Sequence, residues 1–275
     1  MCRPKASSLD EWQVFVAEAI RRYGKNGDFW NQSDNPYAQA GAFDVKAFEV
    51  WNEPNLAQFW DGTTEPQVDA ATEPERDARE YVDLLDAANV GRNVVYVYAH
   101  KPKTPLLAPS WTRSSPASEA DRWLTTFGQG ADPASYNSQS IHPYGSITQT
   151  REKIGIMRAK LPAKPMWITE HGFGAGTNGS YHGGPGGTTA EREDQQRRLF
   201  EETINELDAN HPYVASYTWF SGVDWYDDNT QLSLSKPYAR FGLFRLDEAG
   251  SDTEPPVYSE RTGLLNAFKR EAAAE

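Results

Sequence analysis

The sequence Val45-Lys-Ala-Phe-Glu-Val-Trp51 leads directly into Asn52-Glu53-Pro54-Asn55. The first seven residues are mostly apolar and have the length of a short buried strand, so we predict a strand that ends at a carboxylate. A carboxylate gripped between an amide and a proline has a fixed position and is partly shielded from water, as a general acid requires. A lone glutamate more often caps a helix or pairs with an arginine. The whole pentapeptide, rather than Glu53 alone, therefore favours a catalytic role.

A second predicted strand, residues 165–169, ends in the same way at Glu170. Gly172 follows closely and lets the backbone turn away from the strand. In a parallel α/β barrel the carboxyl ends of the strands share one face, where catalytic residues collect. Glu53 and Glu170 are therefore candidates for a catalytic pair. Carboxylates about 5–5.5 Å apart would hydrolyse a glycosidic bond with retention and those about 6.5–9.5 Å apart with inversion, a choice that these residues alone leave open.

Predicted helices and strands alternate along the rest of the chain. Capping-box patterns at Ser8-Leu-Asp-Glu11 and Thr188-Thr-Ala-Glu191 indicate two helix starts. Further helices are predicted at about 74–98, 121–127, 150–160 and 259–272, and further strands at 104–110, 138–142 and 213–220. This alternation is typical of an α/β fold with a parallel sheet and crossover helices.

Two more predicted strand ends carry polar and aromatic side chains. His142-Pro-Tyr144 places an imidazole and a phenol at positions i and i+2 of an extended segment, which share a face. The alternative is that both are buried and bonded to the backbone. Trp219, near the end of residues 213–220, and Trp225 in the following loop are candidate platforms for a sugar ring. Core packing is the alternative for these aromatic residues, and it is the interpretation that we favour for Phe220 or Tyr217.

Charge and composition exclude several classes of function. The 275 residues include 27 Lys and Arg against 39 Asp and Glu, a net charge of −12. Such a surface repels phosphate backbones and anionic lipid, so neither nucleic acid nor a membrane surface is expected as a partner. Cys2 is the single cysteine, and the five histidines lack a metalloprotease spacing, so we expect no metal and no cofactor. Nine Trp, 13 Tyr and 12 Phe suit a carbohydrate partner, although large cores use them too.

No targeting or membrane segment is recognisable. The sequence has no apolar run of membrane-spanning length, and its first residues lack the apolar region of a signal peptide. The localisation is therefore left open between a secreted and a cytoplasmic protein, and the oligomeric state is left open as well.

Taken in order, Asn52-Glu53, His142-x-Tyr144, Glu170 and Trp219 resemble the retaining (β/α)₈ glycoside hydrolases of clan A, the cellulase and β-xylosidase superfamily. That family carries Asn-Glu after strand 4, His-x-Tyr after strand 6, Glu after strand 7 and Trp at strand 8. The resemblance runs from about Ser8 to the C-terminus. It implies a TIM (β/α)₈-type barrel and a retaining O-glycosidase that acts on poly- or oligosaccharides by double displacement, with Glu53 as acid/base and Glu170 as nucleophile.

The resemblance also implies roles around the two carboxylates. Asn52 is expected to hydrogen-bond the sugar 2-hydroxyl, Tyr144 to orient Glu170, and His142 to support the network at strand 6. The clan often has a non-proline cis peptide after the strand-8 tryptophan, which would join Trp219 and Phe220.

The position of Glu53 conflicts with a complete barrel. Only 44 residues precede Val45, whereas three βα units of about 34 residues each should come before strand 4. We therefore expect one catalytic domain over residues 1–275, an N-terminally truncated barrel with strands 4–8 present and strands 1–3 not recognisable. An inactive carbohydrate-binding remnant is the alternative function, and a metal-dependent hydrolase is a more distant one.

Overall fold

Helices and short strands alternate along the chain, as the sequence predicts for an α/β protein. The computed structural model describes residues 3–33, 45–60, 73–113, 116–175, 188–224, 241–248 and 257–273. The chain divides into two compact units. The first comprises Met1–His142 and Gly155–Trp167, and the second comprises Pro143–Ile154 and Ile168–Glu275.

The described residues form seven α-helices and seven β-strands. The helices are α1 Leu9–Tyr23, α2 Ala57–Trp60, α3 Glu73–Tyr98, α4 Ala117–Gly130, α5 Ile147–Lys160, α6 Thr189–Asn210 and α7 Thr262–Ala273. The strands are β1 Phe48–Glu49, β2 Leu106–Leu107, β3 Gln139–Ile141, β4 Met166–His171, β5 Val214–Trp219, β6 Phe244–Glu248 and β7 Val257–Glu260. In the part of the chain that is described, no helix is both long enough and apolar enough to span a membrane.

Short parallel strands organise the first unit. Strand β1 pairs in parallel with β2, and parallel bridges from Leu107 to Ser138 and from Trp111 to Ile141 extend this arrangement to β3. Both β2 and β3 are fully buried. Buried parallel strands joined through a helix, here α3 between β1 and β2, are characteristic of α/β folds.

Helix α3 joins the strands of the first unit to α1. The Tyr81 hydroxyl donates a hydrogen bond of 2.7 Å to the carbonyl of Val50, just after β1. Further along the helix, a Cβ atom at Gly91 would lie 2.5 Å from the carbonyl oxygen of Gln13. Only glycine therefore permits the close approach of α1 and α3 at this point.

The second unit packs β5 against helices α6 and α7. Its core cluster consists of the buried residues Phe173, Phe200, Trp219, Leu264 and Ala267. At the end of β5, the backbone N–H of Phe220 donates a 2.8 Å hydrogen bond to the carbonyl of His171, the last residue of β4. Strands β6 and β7 form a separate antiparallel pair, with Phe244 opposite Glu260.

The structure corrects three local predictions. The strand predicted over 45–51 is only Phe48–Glu49, because Trp51 has a left-handed φ of 68° and leaves the extended conformation. The helix predicted over 259–272 begins at Thr262, since residues 257–260 pair with β6 instead. The non-proline cis peptide joins Phe220 and Ser221, one residue later than expected.

One of the two predicted capping boxes is present. Thr188 accepts a hydrogen bond from the backbone N–H of Glu191, whose side chain accepts one in return from the N–H of Thr188. Ser8 makes no capping hydrogen bond through its side chain, because it ends a short 3-10 turn, Ala6–Ser8, that leads into α1. The same sequence pattern therefore caps α6 but not α1.

A buried ion pair holds the start of α7 to the segment after β5. The Arg261 guanidinium binds both carboxylate oxygens of Asp224 at 2.7 and 2.8 Å, and both side chains are almost entirely buried. Arg261→Met should therefore lower the free energy of unfolding by about 3–5 kcal/mol, because it removes the guanidinium charge that balances the buried Asp224 carboxylate. Urea denaturation would measure this loss.

An exposed arginine provides the matched control for this prediction. Arg270 pairs with Glu201 at 2.7 Å, but 60% of its side chain is exposed. Arg270→Met should change the stability little, because water screens such a pair. Equal losses for the two variants would contradict the role given to the buried pair.

Candidate active site

The carboxylate of Glu53 lies in a strained backbone corner of the first unit. Trp51 and Glu53 have left-handed φ values of 68° and 44°, and Ser110, just after β2, has a φ of 55°. Each such non-glycine residue costs about 1–3 kcal/mol and persists only where its surroundings enforce it. The backbone N–H of Glu53 contacts the Ser110 hydroxyl at 3.4 Å, and Glu53 is 9% exposed. The corner therefore holds Glu53 in one buried place.

His142 holds the side chain of Glu53. It follows β3, is fully buried, and its Nδ1 lies 2.9 Å from Oε1 of Glu53. Its Nε2 lies 3.4 Å from the Ser110 hydroxyl and 3.8 Å from a carboxylate oxygen of Glu49. Carboxylate and imidazole groups also bind divalent cations, but here the nearest atoms of Glu53 and His142 are hydrogen-bonded to each other. His142 thus orients the Glu53 carboxylate.

The asparagines on either side of Glu53 differ in their contacts. Asn55 clamps the chain after β2, since its side chain donates to the Thr112 carbonyl at 2.7 Å and accepts from the Thr112 N–H at 3.2 Å. Asn52 is half-buried, and within the described ranges its side-chain amide has no hydrogen-bond partner. Asn55 therefore stabilises the fold, whereas the side-chain amide of Asn52 can bind another group.

In the second unit, Tyr144 holds the carboxylate of Glu170. The phenol hydroxyl donates a 3.0 Å hydrogen bond to Oε2 of Glu170, at the end of β4. The ring is 7% exposed and lies edge-on against Phe220 and Phe241, while the Lys153 ammonium donates to the carbonyl of Tyr144. Tyr144 is therefore fixed at both its ring and its backbone, and its hydroxyl favours the charged form of Glu170.

The residue after Glu170 is a fully buried histidine for which the sequence suggests no role. His171 contacts the Tyr217 hydroxyl at 2.9 Å and the Thr150 hydroxyl at 3.2 Å. Burial, together with the nearby Lys153 ammonium, lowers the pKa of His171 to about 3. Burial also raises the pKa of Tyr217 well above its usual value. Tyr217 is partly buried and packs against the core cluster of the second unit, and it is also a hydrogen-bond partner of His171.

Trp219 lies within the core of the second unit. It is 7% exposed, packs against Phe173 and Phe200, and donates its indole N–H to the carbonyl of Phe241 at 2.8 Å. The stacking of a sugar ring on Trp219 stays a prediction. Trp225 lies outside the described residues.

Two of the predicted site residues thus each contact a different one of the two carboxylates. The structure places His142 beside Glu53 and Tyr144 beside Glu170, each pair within its own unit. Ser110 was not among the predicted site residues, although it is the last residue of the strand predicted over 104–110 and so lies at a strand end, as Glu53 and Glu170 do. That shared position at a strand end is the signal that would have identified it.

Comparison with known proteins identifies the family of this chain. The sequence profile described as glycosyl hydrolase catalytic core matches residues 24–239. No curated protein matches the chain significantly in sequence.

Solved structures with a similar fold are glycoside hydrolases. A fungal β-1,4-galactanase is 11% identical with a TM-score of 0.58, over 98% of this chain and 70% of that one. A β-glucosidase from Exiguobacterium marinum is 12% identical with a TM-score of 0.53, over 98% and 71%. A β-glucuronidase from Bacteroides uniformis is 13% identical with a TM-score of 0.52, over 88% of this chain but only 24% of that one. These proteins are TIM-barrel enzymes, which confirms the α/β fold.

Proposed function

This chain belongs to the glycosyl hydrolase catalytic core family, and we propose that it cleaves poly- or oligosaccharides with retention of anomeric configuration. The membership confirms the glycoside hydrolase and the carbohydrate substrate that the clan A resemblance implies. The double displacement, with Glu53 as acid/base and Glu170 as nucleophile, is the proposal.

The proposed reaction has two steps. In the first, a carboxylate oxygen of Glu170 attacks the anomeric carbon, the bond to the leaving-group oxygen breaks, and the proton of Glu53 passes to that oxygen. In the second, Glu53 takes a proton from a water molecule that attacks the same carbon. The ester bond to Glu170 then breaks, and its carboxylate is restored.

The observation that carries the proposal is the hydrogen bond from Tyr144 to Glu170. A nucleophilic carboxylate must be charged and must hold one orientation. A phenol donor 3.0 Å away favours the charged form and fixes the orientation. The buried contact between Glu53 and His142 supports the acid/base role in the same manner, since proton transfer needs a fixed donor. Each glutamate is thus held by its own buried partner, which supports a separate role for Glu53 and for Glu170.

The remaining assignments belong to the same proposal. Asn52, whose amide has no partner in the described chain, would bind the sugar 2-hydroxyl. Trp219 and Trp225 would contact the sugar ring. We assign β1–β5 to strands 4–8 of a single (β/α)₈-type catalytic domain without recognisable strands 1–3. The supporting observation is that Phe48–Glu49 is the first strand in the described part of the chain.

A mechanism-based fluoro-glycoside tests the proposal directly. We expect it to form a stable ester on Glu170, because fluorine slows the second step and traps the covalent intermediate. Intact mass and peptide mapping would locate the label, and the Glu170→Ala protein should take up none. An inactive carbohydrate-binding remnant would bind the sugar without labelling, and a metal-dependent hydrolase would lose its activity in EDTA. Either result would contradict the proposal.

A further inference from the structure

A buried chain of hydrogen bonds in the second unit connects the end of β4 with the segment that carries Tyr144. His171 has no exposed surface, and its two ring nitrogens contact the hydroxyls of Tyr217 and Thr150. The Thr150 hydroxyl also bonds the carbonyl of Pro143 at 3.0 Å. The imidazole is therefore tied, through one threonine, to the residue immediately before Tyr144.

The number of hydrogens that can be donated along this series of hydrogen bonds fixes the tautomer of His171. A threonine hydroxyl has one hydrogen, and a carbonyl can only accept, so Thr150 donates its hydrogen to Pro143. The Thr150 oxygen must then accept a hydrogen from Nε2 of His171. A neutral imidazole has one N–H, so Nδ1 is bare and accepts from the hydroxyl of Tyr217.

The surroundings keep His171 neutral. Lys153 and Thr150 face it from α5, Tyr217 faces it from β5, and the Tyr144 ring stacks on it at 6.1 Å and 26°. None of these groups carries a negative charge. Burial and the Lys153 ammonium both disfavour the imidazolium, so the single tautomer persists through neutral and mildly acidic pH.

We propose that His171 is a positioning residue for the Glu170 carboxylate, an inference that rests on the proposed role of Glu170 as nucleophile. His171 acts through Tyr144 in two ways. Its ring supports the ring of Tyr144, and its link through Thr150 fixes the backbone next to Tyr144. Together these contacts hold the phenol hydroxyl 3.0 Å from Glu170.

Imidazole NMR of protein with isotope-labelled histidine tests the tautomer without any substrate. Long-range proton–nitrogen correlations should show hydrogen on Nε2 and a bare Nδ1 for His171, unchanged from about pH 8 to about pH 5. A His171 that carries its hydrogen on Nδ1, or that titrates near 6.5 as an exposed histidine does, would overturn the proposal.

Thr150→Val tests the positioning role. We expect kcat to fall about tenfold with KM changed less than about twofold, because Tyr144 is displaced from Glu170 while substrate binding is retained. The acidic limb of the kcat/KM profile should move to higher pH, since the Glu170 carboxylate loses its donor. Thr150→Ser keeps the hydroxyl and should restore both properties. Thr148→Val, at an exposed threonine of the same helix, is the matched control and should leave both unchanged.

A double-mutant cycle separates positioning from simple packing. If His171 acts through Tyr144, then Thr150→Val should have little further effect in a Tyr144→Phe protein. Tyr217→Phe, which removes only the donor to Nδ1, gives a second route should Thr150→Val fold poorly. Its matched control is Tyr213→Phe at the separate Tyr213–His211 pair. Additive effects, or a loss of activity without a shift in the pH profile, would show packing alone.

The outcomes for the two proposals are distinguishable. If the fluoro-glycoside does not label Glu170, the proposed function fails, and the NMR result still decides the tautomer. If Glu170 is labelled but the cycle is additive, only the positioning role fails.

Discussion

Glu170→Ala should lower the turnover of nitrophenyl glycosides by at least about 10⁴-fold, because it removes the nucleophile of the first step. Added azide should restore part of the activity by entering the space left by the carboxylate. Azide would attack the anomeric carbon opposite the leaving group, so its glycosyl azide should have inverted configuration. Steady-state kinetics and NMR of the azide product would measure both effects.

Glu202→Ala is the matched control, since Glu202 is an exposed residue of α6. It should retain the wild-type rate and should form no glycosyl azide. A Glu170→Ala protein as active as the wild type would end the assignment of the nucleophile.

Glu53→Ala should lower kcat/KM by about 10²–10⁴-fold for substrates with poor leaving groups, which need a proton from the general acid. For dinitrophenyl glycosides the first step should be almost unaffected, because this leaving group departs without protonation. The second step should then limit the rate, since no base activates water, and the glycosyl-enzyme should accumulate. Stopped-flow bursts and intact mass would detect it.

The configuration of the azide product distinguishes Glu53 from Glu170. With Glu53→Ala, azide attacks the glycosyl-enzyme, so two inversions give net retention. The same Glu202→Ala protein serves as control. An inverted azide product from Glu53→Ala, or equal losses for good and poor leaving groups, would contradict an acid/base role for Glu53.

The strand ends could be predicted because their signal is local. An apolar run followed by an asparagine and a glutamate, or by a glutamate, histidine and glycine, is contained within a few residues. Such runs identify β1 and β4 and place Glu53 and Glu170 after or at their ends. The exact bounds depend on backbone conformation instead, and the left-handed Trp51 ends β1 before the apolar run does.

The contacts around the carboxylates could not be predicted in full, since they join distant parts of the chain. Glu53 meets Ser110 across 57 residues and His142 across 89. Periodicity specifies which face of a strand a residue occupies, but not which strand lies opposite it. The strand over residues 257–260 was not predicted either, because its conformation depends on pairing with the preceding strand, β6.

The tautomer of His171 is a further property that could not be predicted from the sequence. His171 lies within the motif that identifies Glu170, yet nothing in that motif indicates its tautomer. Its state depends on a single hydroxyl hydrogen of Thr150, which the Pro143 carbonyl takes. The tautomer follows only when the hydrogens of all the buried donors and acceptors around His171 are counted.

The left-handed backbone at Trp51, Glu53 and Ser110 places opposing demands on evolution. Selection for thermal stability alone would favour glycine at position 110, because glycine adopts this conformation without steric cost. At position 51 it would not, because the Trp51 ring packs against Trp12 and Trp60. Selection for turnover would oppose the change, since glycine at 110 removes the hydroxyl beside Glu53 and His142. Variants whose melting temperature rises because of substitutions at this corner should therefore lose activity. Such a trade-off between stability and activity is usual where a site stores strain.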